Sequence, residues 1–277
     1  MLNELIYWLQ DKDLIFSHFG YAVLDKDNKD RRRIFIDRGS KVLFVAHLDT
    51  IQEPKFHTKN AKCIHASGLD DRLGCLIANM LSKELNTDLL LTDNEEGGES
   101  TAMYHKCKQY NWIAEFDRHG DDVVTYDLDS DKFLKELRKI WIVGFGSMSD
   151  ICYLDTTACC VNIGIGFEHD HSPDSFARIK TIKRQIDKFK MFFAKHKDTE
   201  FIRDERLYSP PLTYPKMYYP DSCEDNQTEF CEVCGIHGAK DVFGYHICED
   251  CFLSMLYHKL GLLDEIENDG NVAEFYN

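Results

Sequence analysis

The sequence predicts a layered α/β protein, with a mostly parallel mixed sheet flanked by helices and a small cysteine-rich module after it. Three observations carry this reading. Short apolar runs alternate with helical stretches between about residues 33 and 195, the order that builds parallel sheets from strand–helix–strand units. The 277 residues are 43% hydrophobic and 29% charged, a globular composition that excludes disordered and collagen-like chains. Five of the eleven cysteines crowd into residues 223–251, which in a non-secreted chain argues for metal before disulfide.

The N-terminal stretch MLNELIYWLQDKD carries acids and lacks both a basic leader and a small-residue cleavage site. It reads as an amphipathic helix, not a signal peptide. A cytosolic location and reduced thiols are therefore expected. RIFID (33–37), VLFVA (42–46), LLLT (89–92), WIAEF (112–116), VVTY (123–126) and CVNIGIG (160–166) read as strands. Residues 71–85 and 130–138 read as helices between them. After Pro173, Phe176, Ile179, Ile182, Ile186, Phe189 and Phe193 recur at three- and four-residue steps, which predicts one apolar helical face. No apolar run approaches the roughly 18 residues of a membrane span.

Four of the six prolines, Pro210, Pro211, Pro215 and Pro220, interleave with tyrosines. They mark a stiffened arm or linker. The expected division is a catalytic-type domain over 1–202, the arm over 203–222 and the cysteine module with its tail over 223–277.

Acids and histidines follow the predicted strands closely. FVAHLDT places His47 and Asp49 after one strand, on one side of the extended chain, so Asp49 can hold the second imidazole nitrogen. SGLDDRLG places Asp70 and Asp71 at a loop-to-helix junction. LLLTDNEEGG places Glu95 and Glu96 after another strand, WIAEFDRHG places Asp117, and NIGIGFEHDHSPD places His169 and His171. Each group alone would pass for a cap or a solvated loop residue. As a set, two histidines and three carboxylates at successive strand ends match the nitrogen and oxygen ligands of a two-metal hydrolytic site. Of two adjacent glutamates, one can bind metal while the other moves a proton.

H-x-D at His47 and Asp49, G-x-D-D-R-x-G at 68–74, E-E-G at 95–97, then Asp117 and His171, resemble in order the co-catalytic zinc aminopeptidase superfamily. That group includes bacterial leucyl aminopeptidase, glutamyl aminopeptidase, tripeptidase T and acetylornithine deacetylase. The resemblance covers roughly residues 35–195. It implies that His47 and Asp117 bind one metal, Glu96 and His171 the second, and that Asp70 bridges both, ahead of a cis peptide bond to Asp71. It implies Glu95 as general base and Asp49 as the residue that orients His47. Asp71, Ser149 and Asp150 would be supporting, and Tyr126, His169 and Arg118 are candidates for binding the oxyanion. The 23 residues from His47 to Asp70 and the 54 from Asp117 to His171 leave no room for the inserted or lid domains of two branches, so the compact single-domain aminopeptidases fit best. LDDR and the Arg118 that follows Asp117 are nevertheless similar to the branch with the insertion.

Cys231, Cys234, Cys248 and Cys251 form two C-x-x-C pairs separated by thirteen residues, the pattern of a tetrahedral thiolate site for one structural zinc. The segment resembles a treble-clef or zinc-ribbon finger with a knuckle, a hairpin and a helix beginning near Cys251. Cys223 is spare, and the six remaining cysteines read as packing residues. Residues 223–258 hold seven acids and one lysine, Lys240, and the whole chain has a formal charge of -15. A phosphate-binding surface needs the opposite sign, so nucleic acid is not an expected partner. Protein binding or self-association suits the module better. Three readings stay open: a dinuclear zinc aminopeptidase acting on peptides, a deacylase of N-acyl amino acids using the same two metals, and a non-catalytic adaptor that binds through the module.

Overall fold

The computed structural model describes residues 2–204 and two short strands, Lys240–Val242 and Tyr245–Ile247. The chain divides into two units, Met1–Arg206 and Leu207–Asn277. The cysteines of the predicted finger lie outside the described residues.

In chain order the first unit contains α1 (Leu2–Trp8), α2 (Lys12–His18), β1 (Val23–Leu24), β2 (Arg33–Ile36), β3 (Val42–His47), β4 (Lys55–Lys59), β5 (Cys63–Ser67) and α3 (Leu69–Leu85). It continues with β6 (Asp88–Thr92), β7 (Trp112–Arg118), β8 (Val123–Val124), α4 (Asp131–Leu137), β9 (Cys160–Gly164), β10 (Phe167–Glu168), β11 (Phe176–Arg178) and α5 (Ile179–His196). A seven-stranded sheet runs in the order β1-β2-β6-β3-β7-β9-β8. Its centre is parallel, β6 with β3, β3 with β7 and β7 with β9, while β1, β2 and β8 pair antiparallel at the edges.

Every residue of β3 is buried, because strands covered on both faces need apolar side chains at every position. Val42, Phe44 and Ala46 face the core formed with α3 and α5. Leu43 and Val45 face the other way, onto a second cluster with Leu90, Tyr110, Ile113, Leu128 and Ile151. On the helical face the Phe189 ring of α5 meets Phe116 at 4.9 Å and Phe44 at 5.2 Å between centroids. Each such buried ring contributes about 1.5–3 kcal/mol from removal of apolar surface. The α/β fold and its mixed, mostly parallel sheet are those the sequence predicts.

Several elements differ in detail. The single N-terminal helix is two: α1 stops at Trp8, and Asp11 caps α2 by accepting the Asp13 N–H at 2.7 Å. The strand expected over 123–126 stops at Val124, where Tyr126 and Asp127 turn to positive φ (51° and 58°). Phe176 belongs to β11, not to the helix. A position three residues before Ile179 satisfies a helical period, but Phe176 pairs instead with Glu168 and His65 across a strand ladder.

That ladder is part of a second, antiparallel sheet, β10-β11-β5-β4, beside the C-terminal ends of the main strands. In the second unit, Lys240–Val242 and Tyr245–Ile247 form β12 and β13, paired antiparallel. No helix among the described residues is long and apolar enough to cross a membrane.

His105 is buried against Phe35, 4.5 Å between ring centroids, and neither ring nitrogen has a hydrogen-bond partner. Burial, reinforced by the charge of Arg33, pulls its pKa down to about 4. The folded state therefore favours the neutral ring. Its contribution is complete above the unfolded value near 6.5 and is lost as pH falls toward 4. We expect about 3 kcal/mol of stability to vanish across that window, at ~1.4 kcal/mol per pKa unit. Denaturant titrations from pH 7 to 4 should show a clearly flatter profile for His105→Phe.

Candidate metal centre

Parallel strands present their C-terminal ends on one edge, and the loops that leave them carry the functional groups. His47 closes β3 and is 1% exposed. Asp70 sits at the start of α3, just after Gly68, whose φ of +69° and close approach to Pro54 (3.1 Å from a built Cβ) suit glycine. Helical dihedrals begin only at Arg72, since Asp70 has ψ 107° and Asp71 ψ 37°. The Asp70–Asp71 peptide bond is cis. Glu95 and Glu96 lie on the loop after β6, Asp117 is in β7, and His171 follows β10 with a φ of +56°.

The structure brings these groups together. His47 Nε2 lies 3.1 Å from Asp117 Oδ1, 3.5 Å from Asp70 Oδ1 and 3.8 Å from Glu95 Oε2. His171 Nε2 lies 3.3 Å from Asp70 Oδ2 and 3.0 Å from Glu96 Oε2. Asp70 thus turns one oxygen to each imidazole. Zinc bonds of about 2.0–2.1 Å set tetrahedral ligand-to-ligand edges of roughly 3.3 Å, and these separations match. Glu96 Oε1 is buried with no hydrogen-bond partner, an orphaned acceptor that a cation would satisfy. The donor set therefore fits divalent metal.

Charge points the same way. Burial, together with the carboxylates of Asp117 and Asp150, pushes the Glu95 carboxyl up to about 8. Burial and Asp70 push Glu96 up to about 7. Burial would raise Asp70 too, but His171 and His47 hold it well below the usual carboxylate range. Hydrogen bonding to Asp70 and the charge of Glu96 lift His171 to about 9. Acids this crowded recover their ordinary ionisation when positive charge arrives.

The surrounding residues hold the cluster in place. His47 Nδ1 is nearest the Asp49 backbone carbonyl, at 3.0 Å, with the Asp49 carboxylate at 3.4 Å. That carboxylate instead accepts the backbone N–H groups of Glu95 (3.1 Å) and Glu96 (2.9 Å). Asp49 therefore fixes the glutamate loop as well as facing the imidazole. Asp71 keeps a carboxylate oxygen within 4.8 Å of ligand atoms of His47 and Asp117, and its carboxylate accepts the N–H groups of His47 (3.3 Å) and Gly74 (3.0 Å). A Cβ on Gly74 would stand 1.8 Å from the Phe116 carbonyl and 2.0 Å from Asp71 Oδ1. Only glycine lets α3 approach β7 this closely. Arg72 donates to the carbonyls of Trp8 and Gln10.

Asp150 accepts the hydroxyls of Thr92 and Ser100 at the two ends of the glutamate loop. Ser149 Oγ donates to Asp117 Oδ2 at 2.8 Å. Of the three oxyanion candidates, Arg118 has its donors committed. Arg118 is forked onto Asp122 (2.6 and 2.8 Å), the Tyr126 hydroxyl accepts from Asn162, and His169 packs edge-on against Phe176. Asn162 and Glu115, both buried beside Asp117, escape the sequence reading. An asparagine and a glutamate inside apolar strand runs carry no motif, and only their occurrence in otherwise continuous CVNIGIG and WIAEF hints at them.

Several solved structures are similar to this chain. A tripeptidase from Staphylococcus aureus matches with a TM-score of 0.51 at 10% identity, over 72% of this chain and 98% of its own. The aminopeptidase PepT from Bacillus cereus matches at 0.48 and 11%, over 69% and 96%. The TET1 peptidase of Pyrococcus horikoshii, described as assembling into a tetrahedron or a large octahedral shell, matches at 0.49 and 11%, over 68% and 98%. No family model and no curated protein matches the chain. The fold is zinc exopeptidase-like.

Proposed function

We propose that this protein is a metal-dependent hydrolase that cleaves peptide bonds as an aminopeptidase and uses two divalent cations, zinc foremost. The observation that carries the reading is Asp70, with one oxygen toward His47 and the other toward His171. His47 and Asp117 would hold one ion and Glu96 and His171 the other, with Asp70 available to both. Bound there, the ions would supply Lewis acidity to a scissile carbonyl and a nucleophile at neutral pH. Glu95, at 3.8 Å from His47 Nε2 and outside this ligand set, takes the proton of the attacking water and returns it to the leaving amine. Asp49 keeps Glu95 and Glu96 in register by holding their N–H groups.

One observation favours an aminopeptidase over the deacylase reading. An N-acyl amino acid brings a carboxylate that needs a cation, and Arg118 is already forked onto Asp122. Metal-replete protein assayed on aminoacyl amides and on N-acyl amino acids tests this. Turnover of the amides alone is expected. Turnover of only the N-acyl compounds would establish the deacylase, and turnover of neither would leave the adaptor.

The same proposal assigns Cys231, Cys234, Cys248 and Cys251, outside the described residues, to one structural zinc. That makes three ions per chain, with self-association or a protein partner served by the module. The division at residues 202 and 222 belongs to this proposal as well. Backbone hydrogen bonds from Phe201 to Asn111, Arg203 to Thr157 and Asp204 to Asp129, at 2.8–3.0 Å, tie residues 201–204 to the first unit. A truncation ending after Asp204 is therefore expected to retain two metals and a cooperative thermal transition. Loss of both metals on truncation would mean that the two parts fold as one.

A further inference from the structure

The β7/β9 ladder carries an irregularity beside the candidate metal centre. Glu115 pairs with Asn162, and the next pair is Arg118 with Gly164. Three steps on β7 oppose two on β9, so β7 holds one extra residue, the signature of a β-bulge. Asp117 lies inside that bulge. Its N–H, which a regular ladder would direct to a β9 carbonyl, goes instead to the side-chain Oδ1 of Asn162 at 3.0 Å.

This bond fixes the orientation of the carboxamide. A backbone N–H can only donate, so the oxygen of Asn162 must face it and the NH2 must face the other way. That NH2 lies 3.4 Å from Asp117 Oδ2, 3.2 Å from Ser149 Oγ and 3.1 Å from the Tyr126 hydroxyl. Asn162 is 1% exposed. Its two hydrogens serve the nearer Tyr126 and Ser149 oxygens first, and Ser149 Oγ in turn donates to Asp117 Oδ2 at 2.8 Å, so Asn162 holds the Asp117 backbone directly and the outer carboxylate oxygen largely through Ser149. Only Oδ1 is left facing His47 Nε2, at 3.1 Å.

We propose that Asn162 is the positioning residue of the site: by plugging the bulge in β7 it presents Asp117 to a metal through Oδ1 alone. The proposal rests on the two-metal reading above, and its test separates the two. An amide is required. A carboxylate at 162 would accept the Asp117 N–H but repel Oδ2, and a hydroxyl is too short to reach the Asp117 N–H and Ser149 at once.

The test titrates metal-free full-length protein with cobalt(II), followed by calorimetry and visible absorption. Thiolate charge-transfer bands separate any cysteine-bound ion from ions held by nitrogen and oxygen. Asn162→Asp and Asn162→Ser are each expected to weaken one of the two nitrogen/oxygen-bound ions by about 10–100-fold, the usual cost of losing a group that supports a ligand. The visible band of that ion should change, while the second ion stays bound. Asn162→Asp is isosteric and Asn162→Ser smaller, so one variant carries the test if the other fails to fold, as judged by circular dichroism. Asp117→Asn serves as the control. Wild-type affinity and spectrum in the Asn162 variants, with one ion lost in Asp117→Asn, would overturn the role of Asn162 and leave the two-metal reading standing. Two ions still tightly held in Asp117→Asn would overturn both.

Discussion

Glu95→Gln is expected to reduce peptide hydrolysis by about 10²–10⁴-fold, the usual contribution of a general base, with both nitrogen/oxygen-bound metals retained. The substitution keeps shape and removes the proton acceptor. Glu95 is outside the proposed ligand set, and its backbone N–H still reaches Asp49. The companion Glu96→Gln should behave differently, because Glu96 Oε2 faces His171 at 3.0 Å. It should lose one metal along with activity. Metal content and turnover measured on the same samples separate the two. Full activity of metal-replete Glu95→Gln would remove the assigned mechanism.

Asp70→Ala is expected to cost more. Among the described residues Asp70 is the one carboxylate within ion-pair distance of both His47 and His171, so its loss takes a ligand from each ion. Both affinities should fall by more than the 10–100-fold typical of groups that merely support a ligand, and activity should reach background. The protein should remain folded, because α3 is held independently by Arg72 on the Trp8 and Gln10 carbonyls. Elemental analysis after gel filtration checks this. Two ions still present would show that Asp70 is not shared.

The parallel centre of the sheet is legible in the sequence because its strands are buried on both faces. VLFVA and LLLT admit little but apolar residues. The second sheet is not legible for the opposite reason. β4, KFHTK, is exposed at four of five positions, and β10 and β11 are two and three residues long. Such strands are specified by pairing partners distant in the chain, and no local pattern marks them. Among the site residues, the charged groups stand out because each follows an apolar run. Asn162 is invisible by that criterion, since it is uncharged and sits in mid-strand. The dual engagement of Asp49, with an imidazole and with two N–H groups 46 and 47 positions away, depends on the adjacency of β3 and β6 and cannot be read from spacing.

Gly74 has no side chain to offer a metal, yet it constrains the site as tightly as any ligand. A chain could keep His47, Asp70, Glu96, Asp117 and His171 in order and carry alanine at 74. It would then hold every chemical letter of the motif, while α3 was driven off the Phe116 carbonyl and Asp70 carried away with it. A catalogue of metal-binding side chains would count that chain as a relative with the same capability. An inventory that records where two backbones touch would not, so the silent glycine is the better discriminator between a working descendant of this design and a fossil of it.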